Sequence, residues 1–204
     1  MAVMNMRGKW AEGIKPRNLI WIVKNRLAVC ERPGGYGPQH RRVRRIEELI
    51  WIRRNDFKRV ISIIPAVHNL HNYEEFDIDY VHRPIAIGDH LDEVLSVLYV
   101  DLNKLIAHGE TLLLHHEDVG DAVGGTMAGY LVWNGFVDTP HRAVTAIEGL
   151  INRVIGTQGR EIVAAAMELP SPEELIPNED PELLETDEGI SNDESFDLEE
   201  IIPE

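Results

Sequence analysis

The stretch from Leu112 to Leu131 constrains the fold of this chain more than any other part of the sequence. It opens with an unbroken apolar run, passes through a short charged stretch with glycines, and continues into a segment of helical composition. A short apolar run bounded by turn residues is typical of a buried strand. A strand that turns directly into a helix is the repeating unit of α/β sheets, and its turn offers backbone N–H groups to an anion. We therefore look for functional residues in this turn.

The rest of the chain alternates between strand and helix patterns. Strands are predicted over 18–23, 27–30, 60–64, 77–83 and 111–115, the first two as a hairpin. Helices are predicted over 43–55, 91–108, 126–134, 141–154 and 160–167. This alternation predicts an α/β fold with a small central sheet, mostly parallel, flanked by helices on both faces.

Charge divides the chain into two parts. The sequence has 20 Lys+Arg and 35 Asp+Glu, for a net charge of −15. Residues 168–204 hold 15 of the acids, no bases and five of the eleven prolines, so residues 1–167 are balanced at 20 of each sign. This composition predicts an N-terminal extension over 1–9, a folded domain over 10–167 and a disordered acidic tail over 168–204. The tail is either solubilising or a segment that orders on a basic partner.

Several classes of protein are excluded by composition. No run approaches the roughly 20 apolar residues of a membrane span. The first fifteen residues are charged and mixed, without the apolar core of a secretion signal. The single cysteine, Cys30, excludes an internal disulfide and a cysteine-based metal cluster. We expect a cytoplasmic protein that does not enter the membrane, with Cys30 as a small buried residue.

The turn after the predicted strand 111–115 resembles the signature loop of the cysteine-based protein tyrosine phosphatases, in particular the dual-specificity type. In that family an apolar strand leads to His-Cys, five residues, Arg, Ser or Thr, Gly, and a helix. Here His115 matches the leading His, Gly124 matches the Gly, and Tyr130-Leu131 match the helix. Further likenesses lie at 27–34, at 60–65, at 82–85 and at Gln158. The resemblance implies the dual-specificity phosphatase fold.

The residues that would carry this family's chemistry are absent from their positions. His116 stands in place of the nucleophilic cysteine, and Ala122 in place of the phosphate-binding arginine. Ile87 lies about where the general acid is expected, with Asp89 two residues away. The reaction needs a thiolate, a bidentate guanidinium and an acid. The resemblance therefore implies a pseudophosphatase with no catalytic residues, no cofactor and no metal.

The charge of the loop supports this interpretation. Glu117, Asp118 and Asp121 lie within six residues of His116, in a cradle whose usual ligand in the family is a phosphate dianion. Three carboxylates without an arginine repel phosphate. We expect a protein-interaction or regulatory module built on a phosphatase fold.

Three other interpretations stay open. The first is a phosphatase that uses His116 as its nucleophile, since histidine forms phospho-enzyme intermediates. The second is a metal-dependent phosphatase with ligands from His115, His116, Asp118 and Asp121, and with His90 and Asp89 expected nearby in this fold. The adjacent His115 and His116 of a strand point to opposite faces, which disfavours a shared ion. The third is a module that binds a phospho-group without turnover.

A basic segment follows the loop rich in Pro and Gly at 32–38. Eight cations fall within 19 residues, beginning with Arg41, Arg42, Arg44 and Arg45. Three interpretations of these cations are open: a helix face exposed to solvent, a binding site for an acidic protein partner, or a binding site for the chain's own acidic tail. Nucleic acid is disfavoured by the net charge of −15. A protein partner is expected, and homo-oligomer formation is left open.

Overall fold

The part of the chain that the structure describes, residues 12–67, 70–86 and 90–176 of a computed structural model, contains five strands and seven α-helices. The strands are β1 Ile20–Val23, β2 Leu27–Glu31, β3 Arg59–Ser62, β4 Asp79–His82 and β5 Leu112–His116. The helices are α1 Arg42–Arg54, α2 His71–Glu75, α3 Leu91–Ala107, α4 Asp121–Trp133, α5 Pro140–Ile151, α6 Thr157–Met167 and α7 Pro172–Leu175. A 3-10 turn spans Gly37–Gln39.

The sheet has the strand order β1-β2-β5-β3-β4. β1 and β2 form the predicted antiparallel hairpin, and the other three pairings are parallel. Asn25 takes a left-handed backbone, with φ of 60°, which closes the tight turn of the hairpin. β5 therefore lies in the centre, and its carboxyl end meets the carboxyl ends of β2 and β3. The predicted sheet, small and mostly parallel, is confirmed.

Helices cover both faces of the sheet, as predicted. On one face, alternate strand residues such as Val29, Ile61 and Leu114 pack with residues of α3 to α6 in the larger core. On the other face, Cys30 and Leu113 pack in a smaller core with residues of α1 and α2. Side chains that alternate along a strand point to opposite faces, so the uninterrupted apolar runs serve both cores at once. Cys30 is fully buried, as expected.

Helix α4 is buried on almost all sides and packs closely against α6. A Cβ atom at Gly125 would collide with the backbone carbonyl of Gly159, and one at Gly129 would lie 2.6 Å from Tyr99 Oη. The prediction that the helix begins at residue 126 after a glycine turn is wrong, because α4 begins at Asp121. The glycines lie inside the helix, where they let α6 approach, and they do not form the turn.

The ordered chain continues past the predicted domain boundary at residue 167. Trp133 Nε1 donates a hydrogen bond to the carbonyl of Pro170 at 2.7 Å. Leu175 and Ile176 pack against the larger core. Pro172 occupies the first turn of α7, where its missing N–H costs nothing. The predicted extension 1–9, and the tail beyond residue 176, lie outside the described residues.

Two further findings complete the fold. The sequence analysis assigns no helix between the predicted strands 60–64 and 77–83, but the structure has the short helix α2 there, beginning at His71; residues 68 and 69 lie outside the described residues. Within the described ranges, no helix is both long and apolar enough to span a bilayer.

Candidate functional site

The candidate site is the loop 115–122, which joins β5 to α4 at the carboxyl edge of the sheet. The neighbouring strands hold its first residues in place. The backbone N–H of Arg32, just after β2, donates to the carbonyl of His116 at 2.8 Å. The N–H of Ile63, just after β3, donates to the carbonyl of His115 at 3.0 Å. Backbone hydrogen bonds from the residues after β2 and β3 therefore fix the start of the loop between these two parallel strands.

His115 is a buried structural residue of the loop. Its Nε2 lies 2.8 Å from the hydroxyl of Tyr73, on the side of the sheet covered by α1 and α2. Burial, with a smaller effect from nearby cations led by Arg32, lowers the pKa of His115 to about 3. The imidazole is therefore neutral at physiological pH. Because His115 and His116 are adjacent on a strand, they point to opposite faces, which disfavours a shared metal ion.

His116 is half-buried at the position of the family's nucleophile. Burial lowers the pKa of its imidazole, and the carboxylates of Asp118 and Glu117 partly oppose this effect. Its Nδ1 has no hydrogen-bond partner among the described residues. Among the described residues, therefore, nothing orients the His116 ring or accepts its proton through Nδ1.

The three carboxylates of the loop are each engaged by the protein itself. Glu117 contacts Arg32 at 3.8 Å, and Asp118 Oδ2 accepts a hydrogen bond from Arg153 Nη1 at 2.7 Å. Asp121 Oδ1 accepts from the backbone N–H of Gly156 at 3.0 Å. These contacts tie the loop to the end of β2 and to the connection between α5 and α6.

The pair of Asp118 and Arg153 lies in front of the N-terminus of α4. A Cβ atom placed at Gly120, the residue before the helix, would be 3.0 Å from Asp118 Oδ2 and 2.9 Å from Arg153 Nη1. A helix N-terminus attracts negative charge. Here the nearest negative charge is a side chain of the loop itself.

Sequence reasoning identified the loop residues but missed Arg153. The residue follows α5, where Asn152 turns the chain with a left-handed backbone, φ of 51°. Its partner Asp118 is 35 residues away in the sequence. No sequence pattern around a single arginine after a helix marks it as a partner of the loop. The contact arises only because the fold places Arg153 beside Asp118.

The other signature positions are filled by small buried residues. Ala122 is 7% exposed, so no guanidinium reaches the loop from the position that holds the family's arginine. Gly124 lies inside α4, where Ile155 packs against it. The predicted general-acid region, Ile87 and Asp89, lies outside the described residues.

A polar groove of about 380 Å³ opens beside the loop. Asp118 and Arg153 form one wall, and Arg17 and Tyr36 contribute to the other side. Arg17 donates to Gln39 at 3.3 Å. The groove thus carries charges of both signs, most of them already paired.

The predicted basic patch lies at the start of α1. Arg44 pairs with the buried Glu48 at 2.8 Å, and Arg45 Nη1 lies 2.9 Å from His40 Nε2. Arg41 donates to the backbone carbonyls of Pro38 and His40. Within the described chain, no carboxylate lies within 4.0 Å of Arg41 or Arg42.

The first turn of α1 also has no acidic residue and no side-chain cap. The structure brings Arg41 and Arg45 against Gly34, in the loop that follows β2.

Comparison with solved structures identifies the fold, whereas comparison with sequences does not. No protein-family model and no curated protein sequence matches the chain. Solved structures do match. Tk-PTP in its active form gives a TM-score of 0.60 at 17% identity, over 74% of this chain and 97% of that one. A kinase associated phosphatase, with serine in place of its catalytic-site cysteine, gives 0.60 at 19% identity, over 72% and 93%. DUSP15 gives 0.53 at 14% identity, over 71% and 84%.

The chain has the dual-specificity protein tyrosine phosphatase fold. The resemblance stated from the loop 115–122 and the segments around it is confirmed at the level of architecture. At these identities the likeness shows the fold alone, so activity has to be argued from the residues of the site. Within the phosphatase fold, His116 is the last residue of the central strand β5, and the loop after it leads into α4.

No metal site is visible in the described part of this phosphatase fold. Across residues 12–67, 70–86 and 90–176, no three side chains of His, Cys, Asp or Glu lie close enough together to hold an ion. Of the predicted ligands, Asp118 and Asp121 are turned to Arg153 and Gly156, and His90 is exposed. The absence of a metal cofactor stays a prediction.

Proposed function

We propose that the chain is a catalytically inactive phosphatase-fold protein that acts as an interaction or regulatory module. One observation carries the proposal: the loop 115–122 offers an imidazole at His116 and a methyl group at Ala122. The family reaction needs a thiolate to attack phosphorus and a guanidinium to stabilise the transition state. Neither group is supplied at those positions, and the thiol of Cys30 in β2 is fully buried in the smaller core, on the face of the sheet covered by α1 and α2.

The charges of the loop support the same conclusion. A phosphate dianion at the N-terminus of α4 would have to displace the carboxylate of Asp118 from Arg153. It would also lie near Glu117 and Asp121. Like charges in a confined site cost free energy, and the two arginines at the loop, Arg32 and Arg153, already contact Glu117 and Asp118.

The interaction role is supported by two surface features next to the loop, a polar groove and a basic patch, rather than by the loop itself. The groove beside the loop and the basic patch of Arg41, Arg42, Arg44 and Arg45 lie at neighbouring parts of the same edge. Arg44 is paired with Glu48, but among the described residues no carboxylate lies within 4.0 Å of Arg41, Arg42 or Arg45, and such cations suit an acidic protein segment. We propose a cytoplasmic protein partner that presents acidic residues to this patch.

Phosphatase activity of the purified chain tests the inactive state. We expect turnover of a phosphate ester to stay at the level of a buffer blank, with and without added divalent metals, in the wild type and in His116→Ala. Turnover that His116→Ala abolishes would instead assign the nucleophile to His116. Turnover that appears only with a metal and survives in His116→Ala would assign it to a metal-bound water.

Binding of an acidic peptide tests the interaction role. Arg41→Gln with Arg42→Gln is expected to weaken the binding and to flatten its dependence on salt. Lys24→Gln with Arg54→Gln removes the same charge from exposed positions elsewhere and serves as the control. Equal weakening by both pairs would mean that net charge alone attracts the peptide, and the patch would have no role.

A further inference from the structure

The sequence continues for 28 residues beyond Ile176, where the described chain ends. Residues 177–204 hold 12 acids and no Lys, Arg or His. Five of these acids fall within the eight residues 193–200, interrupted by Phe196 and Leu198. We call residues 193–204 the distal acidic segment. Dense negative charge with a few large apolar side chains is complementary to a basic surface that also exposes apolar area.

The basic patch at the start of α1 is such a surface. Arg41, Arg42 and Val43 follow one another and are all exposed, Val43 to 69%. Arg45 lies about one turn further along, and among the described residues no carboxylate lies within 4.0 Å of any of these three arginines. Burial, and then nearby arginines led by Arg45, lower the pKa of His40, so the cations crowd around one imidazole. An anionic segment over the patch would relieve their mutual repulsion.

The position of Ile176 decides which acids can reach the patch. Leu175 and Ile176 pack in the larger core, whereas α1 packs in the smaller core on the opposite face of the sheet. A folded part of this size is about 40 Å across. At about 3.4 Å per residue, the acids of 179–187 lie at most about 37 Å of chain beyond Ile176, which is short of that diameter. The distal acidic segment lies at up to about 58–95 Å and can span the molecule.

We propose that the distal acidic segment covers the basic patch of its own molecule, so that an acidic protein partner has to displace it. Its carboxylates lie against the arginines, and Phe196 and Leu198 cover Val43. A carboxylate also suits the first turn of α1, which has neither an acidic residue nor a side-chain cap. The contact rests on the proposed function, since it takes the patch as a site for acidic segments, and it adds the regulation of that site.

The tether makes even a weak contact effective. A segment whose linker spans the distance to its site is present there at an effective concentration of about 1 mM, and one whose linker is too short at nearly zero. At an effective concentration of about twice the dissociation constant of the free segment, the patch is covered about two thirds of the time. An added acidic peptide then binds about threefold more weakly than it binds an uncovered patch.

An NMR titration of the full chain with a synthetic peptide copy of residues 193–204 tests the proposal. One variant, the distal variant, neutralises five acids of the segment: Asp193→Asn, Glu194→Gln, Asp197→Asn, Glu199→Gln and Glu200→Gln. The matched control neutralises five acids nearer to the fold: Glu179→Gln, Asp180→Asn, Glu182→Gln, Glu185→Gln and Asp187→Asn. Both variants lower the net charge of −15 by the same five units, so any difference between them comes from position.

At about 0.02 M salt, we expect the peptide to bind the distal variant about threefold more tightly than the wild type or the control. The amide signals of residues 42–44 report this binding. Before any peptide is added, they should already differ between the distal variant and the wild type, and coincide between the control and the wild type. At about 0.5 M salt these differences should vanish, because the charges are screened.

Failure of the contact is distinguishable from failure of the proposed function. Equal affinity in the wild type and both variants, lost in Arg41→Gln with Arg42→Gln, would keep the patch as a site for acidic segments and overturn its cover by the chain's own segment. Equal tightening in the distal variant and the control would reduce the effect to net charge and overturn the cover too. Peptide binding that leaves residues 42–44 unmoved, or that survives in the double arginine variant, would overturn both proposals.

Sedimentation of the wild type separates a contact within one molecule from a contact between two. We expect a monomer at the concentrations of the titration. A dimer that the distal variant loses and the control keeps would place the segment on the patch of a second copy, and would overturn the contact within one molecule.

Discussion

At the scale of single residues, the loop is governed by contacts made to side chains distant in sequence. The adjacent histidines and the three carboxylates were identified from the sequence, because a strand followed by a charged turn is a local pattern. The partners Tyr73 and Arg153 were not identified, because nothing near them in the sequence marks them. They belong to α2 and to the connection after α5, and only the packing of these elements around β5 defines the contacts.

Asp118→Ala should convert the loop into a weak anion site. Removal of the carboxylate frees Arg153 in front of the N-terminus of α4, where a guanidinium and a helix N-terminus both attract an anion. We expect sulfate to raise the unfolding midpoint of this variant and not of the wild type. Asp118→Ala combined with Arg153→Ala should lose the gain. The exposed ion pair itself is worth at most about 1 kcal/mol, so the variant should remain folded. A sulfate effect of the same size in the double variant would remove Arg153 from the explanation.

The buried His115 should make stability fall in acid. Its pKa is about 3 in the folded chain and close to 6.5 when unfolded. The unfolded chain therefore binds a proton first, and the contribution of His115 is complete above about pH 6.5. That contribution is lost progressively as the pH falls from there toward 3. Urea unfolding at a series of pH values should show this loss, and His115→Asn should show a shallower decline over the upper part of that window. A decline of identical slope in the variant would mean that other groups cause it.

At the scale of elements, α4 shows why its start was predicted five residues too late. Glycine pairs usually indicate a turn, and Gly124-Gly125 follow a charged stretch. In the structure these glycines face α6 and Ile155, and the helix begins at Asp121. A close helix–helix contact requires the same residue as a turn does, and the sequence does not distinguish the two uses. The long helix α3 has a clear apolar stripe and no such ambiguity, and its predicted bounds differ by one residue from the observed ones.

Two glycine substitutions in neighbouring helices should have effects of opposite sign. Gly125→Ala would drive a methyl group into Gly159, and we expect a loss of about 1–3 kcal/mol despite the better helix propensity of alanine. Gly149→Ala in α5 meets no atom within 4 Å, so a gain of up to about 1 kcal/mol is expected. Chemical unfolding of both variants measures the difference. A neutral Gly125→Ala would show that α6 moves away without cost.

At the scale of the whole molecule, composition predicted the charged C-terminal region but not that residues 168–176 pack against the core. The segment 168–176 is acidic and rich in proline, which is typical of disorder, yet it contributes Leu169, Leu175 and Ile176 to the larger core. A few apolar residues at suitable spacing outweigh the average composition of a segment. Their partners, including Trp133, belong to other elements and cannot be read locally.

Two truncations should define the folded unit. A chain that ends at residue 167 loses the hydrogen bond from Trp133 and the apolar contacts of three side chains, for which we expect a cost of about 2–4 kcal/mol. A chain that ends at residue 176 keeps these contacts and should match the full chain within about 0.5 kcal/mol. Equal stability of both truncated chains would show that the segment 168–176 contributes nothing to folding.

The position of β5 has a consequence for how the chain is made. Leu112 pairs with Leu27, 85 residues earlier, and with Arg59 on its other side. Until the ribosome has released residue 116, the hairpin β1–β2 and the pair β3–β4 have no strand to join them, and each exposes an unpaired edge. Such edges are sites of aggregation. Among the strands that the structure describes, the last to be synthesised is therefore the one that closes the sheet. A nascent chain that pauses before β5 should depend on chaperones more than one that pauses after it.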